Sequence, residues 1–211
     1  MNNKGILLIL SFIFSIFGMH NREAIAMTRA RVEGYSISSA DADLLWASGN
    51  GDVVTAQEAI NDGADVEVRD DRGWTPLRLA CIYKRLDIIE LLLNNGANIE
   101  ASFGGMTSLM DACNSGYFDV VKMLIEHGAD VHKCDFFGRT SLMYACQSGC
   151  GDTVVMILNA GVDVNARTKS GQTAYMFALN PAHSYRCGYV KDYPRVLKIL
   201  VAHGAKKSWW W

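Results

Sequence analysis

The heptapeptide TSLMDAC at residues 107–113 returns as TSLMYAC at 140–146, and looser copies start at Thr75 (TPLRLAC) and Thr173 (TAYMFAL). The four threonines are spaced by 32, 33 and 33 residues. A second ladder keeps the same register: GADVEV at Gly63, GANIEA at Gly96, GADVHK at Gly128, GVDVNA at Gly161 and GAKK at Gly204, spaced by 33, 32, 33 and 43 residues. Self-similarity at this period describes stacked supersecondary units, each touching only its neighbours. The last interval carries a ten-residue insertion.

Each unit has a readable grammar. Thr75 can cap a helix through its hydroxyl, with Pro76 at the first helical position, where a missing N–H costs nothing. A second helix follows, written LDIIELLL at 86–93, FDVVKMLI at 118–125 and DTVVMIL at 152–158, with apolar residues at helical spacing. Each ends near a Gly that accepts the left-handed backbone of a helix terminus. Neither helix is long enough to be stable alone, and each unit has more than one apolar face, so the units must stack.

These residues closely resemble the ankyrin repeat, whose unit is a β-hairpin loop followed by two antiparallel helices. The resemblance covers about residues 41–207 and implies an all-α solenoid of about five helix-turn-helix units, near 41–70, 71–102, 103–135, 136–169 and 170–207, the last with the insertion at 180–196. One departure is consistent. Where the family often has His after Thr-Pro-Leu, this chain has Arg78, Met110, Met143 and Met176, and a Met ladder is expected to fill space between units.

The repeat accounts for three of the six cysteines. Cys81, Cys113 and Cys146 share one position on successive first helices, about 8–10 Å apart, beyond the ~4.4–6.8 Å between Cα atoms that a disulfide needs. They are expected as buried thiols. Cys150 and Cys187 fall at helix–helix turns of neighbouring units, and are either bridged, tethering the insertion, or two free thiols. Cys134 lies in a loop.

Residues 1–26 have one early cation, Lys4, an apolar run from Gly5 to Met19 and the triplet Ala24-Ile25-Ala26, the three-part layout of a secretory signal peptide. As a helix, fifteen apolar residues rise about 22 Å, short of a bilayer core of about 30 Å. Cleavage after Ala26 is expected, leaving residues 27–40 as an N-terminal extension and placing the chain in an exported compartment, the periplasm first because the leader looks bacterial, with secretion as the alternative.

Little in the sequence points to chemistry. A formal net charge of -2 leaves no cationic excess for a phosphate backbone, so nucleic acid is excluded as a partner. Phosphate-loop and nucleophile-elbow motifs are missing, so no catalytic residue, cofactor or small-molecule substrate is expected. Asp130-x-His132-x-Cys134 and His183-x-x-x-Cys187 each offer two metal ligands where zinc takes three or four, so no metal site is expected.

What remains is surface, and the resemblance places partner contacts at the loop tips and on the concave face of the first helices. The tips are rich in aromatics: Trp74, Phe103 with Met106, and Phe136 with Phe137. The residue four after each Thr, or its equivalent, is Trp46, Leu79, Asp111, Tyr144 and Phe177. Trp46 and Tyr144 are expected as partner contacts and Asp111 as a seat for a partner's cation, while Leu79 and Phe177 read equally well as core. The insertion contributes Tyr185 and Tyr189. The terminal tail, 208–211, ends in three Trp, which fit the open edge of the last repeat, a membrane surface or a partner. The reading is an exported, non-enzymatic module that binds a partner protein. The resemblance implies an adaptor, inhibitor or protector of a co-exported enzyme. The alternatives are a secreted effector that binds a host protein, or an envelope component held by the Trp tail.

Overall fold

A computed structural model describes residues 38–180 and 192–206. The expected signal peptide, most of the N-terminal extension, Tyr185, Cys187, Tyr189 and the Trp tail lie outside these residues. Among them, ten helices form five antiparallel pairs: α1 (Ser39–Asn50) with α2 (Val53–Asn61), α3 (Pro76–Ile82) with α4 (Leu86–Asn94), α5 (Ser108–Ser115) with α6 (Phe118–Glu126), α7 (Ser141–Ser148) with α8 (Gly151–Asn159), and α9 (Ala174–Leu179) with α10 (Tyr193–Ala202). The inner helices pack in the order α1, α3, α5, α7, α9; of the outer helices, α2 meets α4, α6 meets α8 and α8 meets α10. This is the all-α solenoid that the repeat period implies.

Local chemistry sets the helix boundaries. Thr75, Thr107 and Thr140 each accept the backbone N–H of the residue three on, Arg78, Met110 and Met143, at 3.3–3.4 Å. Thr173 makes no such bond, and its hydroxyl is buried without a partner among the described residues. The first unit begins earlier than expected. Ser38 and Asp41 form a reciprocal capping box that starts α1 at Ser39, so residues 39 and 40 of the expected extension are helical. At the other end α10 starts at Tyr193, whose hydroxyl donates to the Gln147 carbonyl, so residues 193–196 of the expected insertion belong to a helix.

The core is a seam of small and branched residues. Ala80, Ala112 and Ala145 are fully buried on successive inner helices and admit the close approach of neighbouring pairs, while Leu77, Leu109 and Leu142 fill the gaps beside them. Met110 and Met143 are buried as the Met ladder requires. Cys81, Cys113 and Cys146 are buried free thiols, and burial pushes all three well above the usual thiol range. Cys150 is also a free thiol, with the Thr153 hydroxyl donating to its sulfur at 3.2 Å; the bridge to Cys187 is not among the described contacts.

Polar stitches join the loops of successive units. Glu67 accepts the Asn98 N–H and Glu100 the Asp130 N–H, both at 2.7 Å, and Asn165 accepts the Lys206 N–H at 2.9 Å. The resemblance implies a hairpin in every loop; among the described residues one two-stranded hairpin forms, β1 (Ser102–Phe103) with β2 (Met106–Thr107), and one isolated bridge joins Cys134 to Thr140. At the remaining tips, the one enclosed by this bridge included, a side-chain oxygen of Asp70, Asp135 or Thr168 takes the N–H four residues on, while the backbone N–H of the same residue donates to the carbonyl of that partner.

Gly105 sets how closely the loops nest. It has φ +77°, and a Cβ there would stand 2.8 Å from the Phe136 backbone nitrogen of the next unit. Gly96 shares the left-handed backbone, φ +82°, but with open space around it. Gly96→Ala should therefore cost about 1–2 kcal/mol of backbone strain, and Gly105→Ala about 1–3 kcal/mol more through overpacking. Urea unfolding of the two variants checks the difference.

Candidate interaction surface

The loop tips overlap like shingles. The Phe103 ring lies over Gly73, so that a Cβ on Gly73 would meet it at 2.6 Å; Phe136 covers Gly105; and the Lys169 N–H donates to the Phe137 carbonyl at 2.9 Å. Each tip thus rests on the one before it. Phe103, Phe136 and Phe137 keep 54%, 67% and 65% of their surface in water.

The other expected tip residues are less free. Trp74 is half-buried between two guanidinium groups, Arg72 at 4.0 Å and Arg78 at 5.1 Å from its ring centre. Met106 is half-buried and packs on the core, as do Trp46 and Phe177, while Leu79 is buried. The Trp46 indole N–H is buried with no acceptor among the described residues.

Two of the expected concave-face contacts are turned inward. Tyr144 is 3% exposed, and its hydroxyl donates to Asp135 Oδ2 at 2.8 Å. The cause is local: Asp135, nine residues earlier, seats the tip of its own unit by accepting the N–H groups of Phe137 and Arg139 and the Arg139 Nε–H, and its second oxygen draws the phenol down beneath the loop. Arg139 in turn stands 4.9 Å over the Tyr144 ring and 5.1 Å over Phe137. Burial first, then the bond to Asp135, holds the Tyr144 phenol well above its usual range.

Asp111 does not wait for a partner's cation, because Arg78 of the preceding unit supplies one at 2.6 Å. Arg78 occupies the place taken by Met in the following units, and Asp111 the place taken by Leu79, Tyr144 and Phe177. The two departures are one largely buried ion pair, and the ladder carried that signal. Sequence reasoning also missed Tyr83, an exposed aromatic at the end of α3, beside Lys84 in a left-handed backbone at φ 55° where α1, α5 and α7 end on Gly51, Gly116 and Gly149.

Two family models match this chain, one described as "Ankyrin repeats (3 copies)" over residues 44–135 and one as "Ankyrin repeats (many copies)" over 124–178. Together they span residues 44–178 without a break, from the first helix pair into α9. The chain belongs to the ankyrin-repeat family. As an ankyrin-repeat protein it is a protein–protein interaction module. Among curated relatives it is similar to the 2-5A-dependent ribonuclease of Mus musculus, 44% identical over 59 residues, which are 28% of this chain and 8% of that enzyme. It is also similar to "Ankyrin repeat, SAM and basic leucine zipper domain-containing protein 1" of Notamacropus eugenii (38% identical over 64 residues, 30% of this chain and 14% of that protein) and of Ornithorhynchus anatinus (36% over 75 residues, 36% and 16%). The chain spans 8–16% of the length of these relatives, so the likeness concerns the repeats.

Arg78→Met alone takes the cation from the largely buried Asp111 carboxylate and should destabilise the chain by up to about 3–5 kcal/mol, whereas Arg78→Met with Asp111→Leu should recover most of that loss; thermal melts of both variants check this. Asp135 supplies a second test. Burial raises its pKa, but the N–H of Arg139, the Tyr144 hydroxyl and the Arg139 guanidinium outweigh this and hold it below the usual carboxylate value. The stabilisation is present above the unfolded carboxylate pKa of about 3.9 and is lost as pH falls through the lower folded value. Asp135→Asn should lower the melting temperature at pH 7 and flatten its decline between about pH 4 and pH 2, as followed by circular dichroism.

Proposed function

We propose that this chain is exported and binds one partner protein through the row of tips formed by Phe103, Phe136 and Phe137, flanked by Trp74 and Arg139. The observation that carries the reading is the exposure of three Phe side chains on loops that are otherwise pinned by hydrogen bonds. A large apolar side chain left in water forgoes about 1.5–3 kcal/mol relative to its buried state, and aromatic anchors are where interface energy concentrates. The leader supports export, with the periplasm as the first location. The resemblance supports a role as adaptor, inhibitor or protector of a co-exported enzyme.

The partner surface must offer apolar pockets for rigid rings. Tyr144 and Asp111 belong to the support beneath the tips and lie outside the binding surface. Tyr185 and Tyr189 extend the proposed surface on the strength of their composition alone.

The test is capture from an envelope extract of the source organism with the native chain and with Phe103→Ala, Phe136→Ala and Phe137→Ala combined. The triple variant should lose a partner that the native chain retains, at an unchanged melting temperature. Equal recovery by both baits removes the tips from the interface. Export is checked separately by N-terminal analysis of the periplasmic fraction, where a chain beginning at Met27 is expected.

A further inference from the structure

Charge is unevenly spread over the described residues. The four tip segments, 69–74, 102–107, 133–139 and 167–172, hold six of the thirteen Lys and Arg but only three of the twenty Asp and Glu. Two of those three acids are largely buried: Asp70 and Asp135 each take backbone N–H groups of their own loop and the guanidinium of Arg72 or Arg139. The row of tips is therefore cationic, while the rest of the solenoid is acidic. The charge is also graded along the row. Arg69 and Arg72 balance Asp70 and Asp71 in unit two, and the tip of unit three has no charged residue. Unit four sets Lys133 and Arg139 against Asp135, and unit five has Arg167 and Lys169 with no acid at its tip.

The cationic end of the row meets an exposed ring. The Lys169 N–H donates to the Phe137 carbonyl at 2.9 Å, which holds the tip of unit five against that of unit four. The Arg139 guanidinium stands 5.1 Å from the Phe137 ring centre. Phe137 thus lies where two cation-bearing tips join, and Arg167 and Lys169 are both exposed there. Opposite charges across an interface steer encounter and fix register, and like charges turn wrong orientations away. An acidic partner is drawn to this end of the tips and repelled by the outer helices, where Asp87 and Glu90 of α4 and Glu126 of α6 stand exposed. Resting on the reading that the tips bind a protein, we propose that the partner presents an acidic segment to units four and five. An apolar side chain of that segment packs on Phe137, and the carboxylates beside it pair with Arg167 and Lys169.

The test pans a random linear-peptide library on the full chain and on the chain with Phe103→Ala, Phe136→Ala and Phe137→Ala combined. Peptides enriched by the native chain alone should carry Asp or Glu next to an apolar residue. Fluorescence anisotropy then measures one such peptide, and its counterpart with Gln and Asn in place of Glu and Asp, against Arg167→Gln combined with Lys169→Glu. Removing two exposed charge pairs should weaken the acidic peptide roughly fivefold or more and leave the neutral counterpart unchanged. Raising the ionic strength should weaken the acidic peptide alone. Lys169→Gln, the milder change, should give part of the loss, and both variants should melt with the native chain. Enriched peptides that are neutral or basic, or acidic peptides indifferent to Lys169→Gln and to the double change, would overturn the acidic assignment and leave the Phe tips as the binding surface. Equal enrichment on the native and triple-Ala chains would overturn both readings, and so would no enrichment at all for any linear segment. Binding to anionic phospholipid vesicles that the double change abolishes, with no acidic peptide enriched, would overturn the proposal in favour of a lipid surface.

Discussion

Helices of six to twelve residues cannot hold themselves together in water, and here each is held by its own partner and by the neighbouring pairs of the stack. The small-residue seam of Ala80, Ala112 and Ala145 is what makes this possible, because without a side chain larger than methyl at that position the inner helices close up and the leucines beside them are sealed. Everything else in the molecule follows from that spacing. It sets the distance between loops, and therefore whether Phe103 can lie over Gly73 and Phe136 over Gly105.

The same spacing decides which polar groups are tolerated inside. Arg78 and Asp111 belong to different units and meet only because the units stack in register; either one buried alone would be strongly destabilising. The pair adds directional chemistry to an interface that is otherwise apolar, and it sits directly behind Trp74. Asp135 has the corresponding role in the following unit, holding Arg139, Tyr144 and the Phe137 backbone around a single carboxylate.

Much of this was legible in the sequence. The two ladders gave the number of units and the paired helices, the threonines gave the caps at three of four positions, and the shared cysteine position gave buried thiols. The concave stripe was less legible. A one-in-thirty-three ladder says which residues share a position, but not whether a side chain of that position finds a partner nearby, so Tyr144 reads as surface until Asp135 is seen beneath it. Asp111 was legible in principle, since its departure from the stripe coincides with the departure of Arg78 from the Met ladder. The capping box of Ser38 and Asp41 was likewise written in the sequence, at the spacing that marks a helix start.

The polar clusters and the aromatic tips form a single arrangement. A Phe on a floppy loop would lose on binding much of what its burial gains, because ordering a side chain and its backbone costs about 1–2 kcal/mol per residue fixed. Phe137 escapes most of that cost: its N–H is held by Asp135, its carbonyl by Lys169, and its ring by the Arg139 guanidinium. Phe103 is set in the β1–β2 hairpin and rests on the neighbouring turn. The buried charges lie beneath the exposed rings and hold the tips in one shape before anything binds, which is how a scaffold of short helices can present apolar anchors in water without losing them to the core.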